Sequence, residues 1–124
     1  QVSRQSYYCF TFRYNSAAWD DIPVEAFRQA LTAEVGANAF STYEPLNNSP
    51  LYRPHTKPRY HLNEEYWQAI DPSRFALPVC EKAYADEAVC FWHPVLLAEQ
   101  ADLDQIAQAV EKLYENRAEL RRLG

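Results

Sequence analysis

The sequence has 124 residues, of which 48% are hydrophobic and 15% aromatic. This length is typical of one domain, and this composition is typical of a chain that folds around a core. The formal net charge of −5 disfavours general binding to nucleic acid or to an anionic membrane, because both need a positive field. No apolar run approaches the roughly 20 residues that cross a bilayer. We therefore expect neither nucleic acid nor membrane as a partner.

The cysteines and histidines show no metal-binding or disulfide pattern. The chain has an odd number of cysteines without a CxxC motif, and these are Cys9, Cys80 and Cys90. We interpret them as small core residues in a reducing cytoplasm. The histidines share no ligand spacing, so we expect no metal; they are His55, His61 and His93.

The chain contains no methionine and begins with Gln1. A ribosomal product begins with methionine, and glutamine is too large to be a usual second residue after methionine removal. We therefore expect the chain to be a piece of a longer protein. The alternative is that its first residues are missing from the sequence.

The first third of the chain predicts a strand, a helix and a second strand. Residues 6–14 alternate with period two, and four aromatic residues fall on one face: Tyr8, Phe10, Phe12 and Tyr14. Tyr7 falls on the other face. After Pro23, apolar residues at helical spacing predict a helix that ends at Gly36. Residues 39–43 form a short apolar run, and the second strand is predicted over 38–43.

The remainder of the chain predicts a long loop followed by helices around a third strand. Residues 44–62 hold four of the eight prolines, so they can be neither a regular helix nor a central strand. Asn63 caps a short helix, and Pro78 starts another. A third strand is predicted over 88–92 and a last helix over 102–121. The order of elements predicts an α+β fold, with a small, mainly antiparallel sheet covered by helices.

Three ordered motifs resemble one family of enzymes. Residues 43–62 read YEPLNNSPLYRPHTKPRYHL, which resembles the Y-x-P-L-(H/N)-x-x-P-L-(Y/F) tract of the DegT/DnrJ/EryC1/StrS aminotransferases. Residues 77–97, LPVCEKAYADEAVCFWHPVLL, and 101–110, ADLDQIAQAV, resemble later parts of the same C-terminal domain. The tract is most similar to the glutamine:scyllo-inosose aminotransferase branch. Many members have histidine where this chain has Asn47, so a histidine role is not carried over.

This resemblance implies that residues 1–124 are the C-terminal small domain of a fold-type-I enzyme that uses pyridoxal phosphate (PLP). Such an enzyme transfers an amino group to a keto sugar or keto cyclitol, and it acts as a homodimer. Its imine-forming lysine lies in a large PLP-binding domain, which is the expected partner of this chain. None of Lys57, Lys82 and Lys112 lies in the family's lysine motif. We therefore expect PLP in the full enzyme but none in this chain, no catalytic residue here, and no activity of the isolated chain.

The resemblance also places residues 43–57 near the mouth of the substrate site. Tyrosine offers hydroxyls and flat faces to a ring, and glutamate and asparagine can hydrogen-bond to its hydroxyls. The basic cluster can attract an anionic substrate group or contact the large domain. It consists of Arg53, His55, Lys57 and Arg59. The predicted substrate-binding residues are Tyr43, Glu44, Asn47, Tyr52, Arg53, His55 and Lys57.

Each of these features also has a simpler interpretation. Tyr43 and Tyr52 can cover an edge of the core, and Glu44 and Asn47 can satisfy backbone groups in a proline-rich turn. The basic cluster can bind nucleic acid, although the acidic chain disfavours this. At the level of the whole chain, the alternative is a stand-alone binding or interaction module derived from the aminotransferase domain.

Overall fold

The computed structural model describes residues 6–53 and 56–122 and has the α+β fold predicted from the sequence. Strands β1 (Cys9–Arg13) and β2 (Ala88–Trp92) pair antiparallel, with Phe10 opposite Phe91 and Phe12 opposite Val89. Five α-helices lie within the described residues: α1 (Val24–Val35), α2 (Glu64–Ile70), α3 (Pro78–Lys82), α4 (Gln100–Glu115) and α5 (Arg117–Leu120). Strand β2 has the bounds that the sequence predicts.

The predicted strand over 38–43 is wrong, because only Phe40 pairs with the sheet. Its amide and carbonyl exchange hydrogen bonds of 3.0 and 2.7 Å with Cys90, on the free edge of β2. On one side of this bridge, the amide of Ala39 donates to Thr32 Oγ1 at 2.9 Å, which ties it to α1. On the other side, Ser41 Oγ donates to the carbonyl of Tyr84 at 2.6 Å. These contacts draw the segment away from the sheet on both sides of the bridge.

The core is an aromatic cluster between one face of the sheet and helices α1 and α4. The Phe27 ring of α1 stacks on Tyr14 at 4.9 Å between centroids and meets Trp19 edge-on at 4.7 Å. Trp19 in turn contacts the ring of Tyr114 on α4 at 5.3 Å. The Tyr14 hydroxyl donates to the buried carbonyl of Ile22 at 2.9 Å. Aromatic pairs in these geometries add stability beyond the area that they bury.

The aromatic face predicted for residues 6–14 is only partly buried. Tyr14 is 3% exposed and Phe12 is packed against the core, but Phe10 is 37% exposed and Tyr8 is 65% exposed. The period-two pattern holds for Phe10, Phe12 and Tyr14 but not for Tyr8, which precedes β1 and contacts Trp92, the partner of Cys9 on the other face. The helices cover only the end of that face nearest Tyr14.

The helix ends follow the local signals in the sequence. Gly36 ends α1 in the left-handed conformation, at φ 67°, and its amide donates to the carbonyl of Thr32 at 3.0 Å. Asn63 caps α2, with its Oδ1 accepting from the amide of Tyr66 at 2.7 Å. The predicted last helix is present as α4 and α5, which meet at Asn116. No helix within the described ranges is long and apolar enough to cross a membrane.

The cysteine prediction is correct for only one of the three residues. Cys90 on β2 is buried, whereas Cys9 is half-buried and Cys80 on α3 is exposed. All three are free, and the described part of the chain holds no group of side chains suited to a metal ion. Burial raises the pKa of the Cys90 thiol.

A buried arginine ties α1 to the sheet. Arg28 Nη1 donates to the carbonyl of Ala88 at 2.9 Å, and its Nε and Nη2 donate to Glu25 Oε2 at 3.2 and 2.7 Å. The hydrogen bond from this guanidinium holds the pKa of Glu25 below its usual value. A buried charge is tolerated here because its donors are occupied and it is paired with a carboxylate.

We expect the Arg28→Ala variant to lose about 2 to 3 kcal/mol of unfolding free energy, because the buried Ala88 carbonyl loses a charged donor. Urea unfolding followed by circular dichroism measures this loss. Gln29→Ala, at an exposed position of the same helix, is the control and should change stability by less than about 0.5 kcal/mol. Equal effects of the two variants would contradict a role for Arg28 in joining helix and sheet.

Tyr14 should make the stability depend on pH in alkaline solution. Burial raises the pKa of Tyr14 to about 12 from its usual value of 10.0, so the unfolded chain loses this proton first. Its contribution is therefore complete below about pH 10 and is lost as the pH rises towards 12, with about 1 kcal/mol lost by pH 11. Tyr14→Phe should be less stable than the parent at pH 7, by about 1 kcal/mol, and this difference should disappear near pH 11. A difference independent of pH would show that Tyr14 does not titrate in this way.

Candidate functional site

The described parts of the predicted loop over 44–62, which are residues 44–53 and 56–62, are built from short turns. Pro45 is buried, and Pro50–Tyr52 forms a 3-10 turn capped by Ser49, whose Oγ accepts from the amide of Leu51 at 3.3 Å. Proline restricts the unfolded chain as well as the folded one, so such a loop loses less entropy on ordering. His55 lies outside the described residues, so its predicted role stays a prediction.

Asn47 connects this loop to the segment that follows α2. Its Nδ2 donates to the carbonyl of Phe75 at 3.0 Å. Its Oδ1 is buried and has no hydrogen-bond partner among the described residues. Because an unpaired buried acceptor is costly, this atom marks a place where a donor is missing. Asn47 lies where a polar cleft and an apolar groove meet, and it lines both.

The polar cleft has a volume of about 720 Å³ and lies between residues 47, 48, 53 and 56 on one side and residues within 67–81 on the other. Its lining combines amide, hydroxyl and aromatic side chains with two basic and two acidic ones. The charged residues of the lining are Arg53, Arg74, Asp71 and Glu81. Asp71 Oδ1 accepts from the amide of Ser73 at 2.9 Å, and the guanidinium of Arg74 donates to the carbonyl of Gln68. With formal charges that cancel, the cleft suits a polar, uncharged ligand.

The apolar groove has a volume of about 620 Å³ and runs along the other side of Asn47. Its apolar lining consists of Leu46, Leu51, Tyr52, Tyr60, Ile70, Pro72, Phe75 and Leu77. Leu51 is 82% exposed, and Leu46, Tyr52 and Phe75 are exposed by about half. So many large apolar side chains on one surface are typical of a face that binds something.

The predicted substrate-binding residues do not share one cavity. Asn47 and Arg53 line the polar cleft, whereas Tyr52 lines the apolar groove. Tyr43 and Glu44 are exposed at the start of the loop, and Lys57 is half-buried further along.

Tyr43 has a partner that the sequence did not indicate. Its hydroxyl lies 3.1 Å from the hydroxyl of Tyr8, and this hydrogen bond raises the pKa of Tyr43. Further cleft residues lie on and after α2 and were not predicted from the sequence, among them Trp67, Ser73 and Arg74. The Asp-Pro-Ser sequence at 71–73 is a turn signal that could have directed attention to this segment.

The three lysines of the chain are the side chains that could form an imine with PLP. Lys82 Nζ pairs with Glu87 at 3.1 Å, and Lys112 Nζ pairs with Glu34 at 2.7 Å, both at the surface. An imine-forming lysine must reach the cofactor from a site that also binds its phosphate, and neither of these paired lysines lines the cleft or the groove. Lys57 lines neither the polar cleft nor the apolar groove. We derive no chemical step on PLP from the described residues.

Comparison with known proteins finds relatives that are named as cyclitol aminotransferases. The chain is 39% identical over 121 residues to the L-glutamine:scyllo-inosose aminotransferase of Streptomyces griseus. It is 37% identical over 120 residues to the L-glutamine:2-deoxy-scyllo-inosose aminotransferase of Streptoalloteichus tenebrarius. The enzyme of that name from Streptomyces fradiae is 38% identical over 119 residues.

These matches cover 98, 97 and 96% of the chain but only 28% of the length of each relative. No model of a protein family matches the chain. The resemblance to the glutamine:scyllo-inosose aminotransferases is confirmed, and the chain is related to one part of such enzymes. Its coverage is consistent with the small domain of a larger protein.

Asn47→Ala should loosen the segment that closes the polar cleft, because the Phe75 carbonyl loses its partner. We expect faster hydrogen exchange at the amides of Arg74 and Phe75, with a loss of about 1 kcal/mol in local stability. Mass spectrometry of exchanged peptides measures this. Asn48→Ala is the control, since Asn48 lines the same cleft without this hydrogen bond. Unchanged exchange in the Asn47 variant would show that the hydrogen bond does not hold the segment.

Proposed function

We propose that the chain is the small domain of a PLP-dependent aminotransferase that acts on a keto cyclitol or keto sugar. In this proposal the chain forms the substrate side of the active site. The observation that carries the proposal is the similarity to named cyclitol aminotransferases along 96 to 98% of this chain. The chain spans about 28% of their length, so the activity that we propose is that of a longer enzyme to which this chain contributes one domain.

The polar cleft has the chemistry that such a substrate needs. A keto cyclitol is an uncharged ring with many hydroxyls, each of which can donate and accept. The cleft offers amide and hydroxyl groups, with aromatic surface from Trp67 and Phe75 and formal charges that cancel. The unpaired Oδ1 of Asn47 borders it and lacks a donor, which a small shift of the loop would let a ring hydroxyl supply.

The other predicted substrate-binding residues contribute hydrogen-bonding, aromatic and basic groups. Glu44 accepts hydrogen bonds from ring hydroxyls, and Tyr43 offers a hydroxyl and a flat face. Arg53 donates into the cleft, while Tyr52 belongs to the apolar groove. His55 and Lys57 complete the basic end of the loop. These residues bind and orient the ketone and exclude water from it.

We propose that the imine-forming lysine and PLP belong to a part of the enzyme outside this chain. When bound, PLP supplies the electron sink that amino-group transfer requires. The ion pairs of Lys82 and Lys112 support this division, because they hold both amines at the surface, beside carboxylates. The isolated chain should then be inactive.

The apolar groove gives this proposal a structural counterpart. A large PLP-binding domain would cover the exposed side chains of Leu51 and Tyr52, and a second subunit would complete a homodimer. The free cysteines of the described chain agree with a reducing compartment such as the cytoplasm.

A kinetic experiment on the full-length enzyme tests the proposal. Tyr43→Ala, Glu44→Ala and Asn47→Ala should each raise the KM for the ring ketone by about tenfold, because each removes a hydrogen-bonding group from the substrate side. The visible absorbance of bound PLP should not change. Steady-state assays that vary the ketone and the amino donor separately measure the effect.

Glu65→Ala, at an exposed position of α2, serves as the control and should behave like the parent. Unchanged ketone kinetics in all three loop variants would remove the loop from the active site. The coding sequence upstream of Gln1 separates the two candidate functions: a large domain in frame supports the aminotransferase, and a nearby start codon supports a stand-alone module.

A further inference from the structure

Tyr8 and Tyr43 form a hydrogen-bonded pair of phenols at the surface. Tyr8 precedes β1 and Tyr43 begins the loop, yet their hydroxyl oxygens lie 3.1 Å apart. The two side chains are 65 and 75% exposed. Water can satisfy an exposed hydroxyl almost as well as another phenol does, so such a bond adds little to stability. Its effect is to fix where two hydroxyls point.

The position of Tyr8 is itself determined by its neighbours. Its ring meets Trp92 edge-on at 5.4 Å, and Trp92 packs on Phe40 with centroids 4.7 Å apart. His93 Nδ1 lies 3.2 Å from the carbonyl oxygen of Tyr8, where an Nδ1–H donates to it. Tyr8 is thus held by β2 and by the turn after it, and Tyr43 is held by Tyr8.

The pair has unused hydrogen-bonding capacity on its exposed side. When Tyr43 donates to Tyr8, the proton of Tyr8 and the remaining lone pairs of both oxygens face solvent. One donor beside several acceptors complements two neighbouring hydroxyls on a ring, which donate and accept in the same way. The exposed face of Trp92, 41% accessible, provides aromatic surface next to the pair for the ring's C–H groups.

We propose that Tyr8 is a further substrate-side residue, which positions Tyr43 so that the two phenols together bind adjacent hydroxyls of a polyhydroxylated ring ketone. This inference rests on the proposed function, because it assumes that the start of the loop faces the substrate. It extends the substrate side to a residue before β1, 35 positions from Tyr43 in the sequence.

A double-mutant cycle in the full-length enzyme tests the coupling. Tyr8→Phe and Tyr43→Phe each remove one hydroxyl and keep the ring. Each should raise the KM for the ring ketone by about fivefold, with kcat changed by less than about twofold, because a positioned hydrogen bond to substrate is lost. The double variant should be hardly worse than either single variant, since the two hydroxyls act as one unit. The KM for the amino donor should stay the same.

Tyr7→Phe is the matched control. Tyr7 is also an exposed tyrosine before β1, and within the described residues its hydroxyl makes no hydrogen bond. This variant should keep the parental KM.

Two further outcomes separate this inference from the proposed function. If Tyr43→Phe raises the KM and Tyr8→Phe does not, or if the two effects multiply, the phenols act independently and the inference is wrong while the proposed function stands. If neither variant changes the KM for the ketone, the inference is again wrong, and this result also counts against placing the loop at the substrate.

Discussion

The packing of Phe27 against Tyr14 and Trp19 is the contact on which the rest of the structure depends. Tyr14 follows β1, Trp19 ends the turn after it, and Phe27 lies on α1, so three successive parts of the chain meet at one point. Trp19 extends the contact to Tyr114 on α4, over whose ring the Arg117 guanidinium lies at 4.4 Å. All of this packing lies on one face of a two-stranded sheet. The residues of the candidate site are therefore held beside the core and not within it.

The two parts of the molecule differ in how they are stabilised. The core is maintained by buried rings and by Arg28, whose loss would leave a buried carbonyl unpaired. In the segment from 43 to 77, the hydrogen bond of Asn47 with Phe75 joins the two ends of the segment to each other, and that of Tyr43 with Tyr8 joins it to the residue before β1. Regions with few buried contacts open at low cost in free energy. Such a segment can adjust to a ligand while the core keeps its shape.

The elements that depend on local signals could be predicted from the sequence. Proline and glycine mark the ends of α1, Asn63 marks the start of α2, and the run of residues 88–92 predicts β2 with its observed bounds. The strand expected over 38–43 failed because the Ala39 amide bonds to a threonine side chain, which is a tertiary contact without a local signal.

The same distinction applies to the candidate site. The motif directed attention to the loop, and the structure places Asn47 and Arg53 beside a cleft. The opposite wall of that cleft, around Trp67 and Arg74, comes from a segment that carries no comparable motif. The pairing of Tyr8 with Tyr43 joins residues far apart in sequence, and alternation along β1 gives the face of a side chain but not its distant partner.

The different exposure of the three cysteines has a practical consequence. Cys90 is buried and its pKa is raised by that burial, so its thiol is protected twice over, whereas Cys80 is open to solvent on α3. Glu81, the neighbour of Cys80, lines the polar cleft, and Leu77, which directly precedes α3, lines the apolar groove. A maleimide dye or a nitroxide should therefore attach at Cys80 before it reaches Cys90. The unaltered chain thus carries its own attachment point for a spectroscopic reporter, next to the surface whose occupancy matters most.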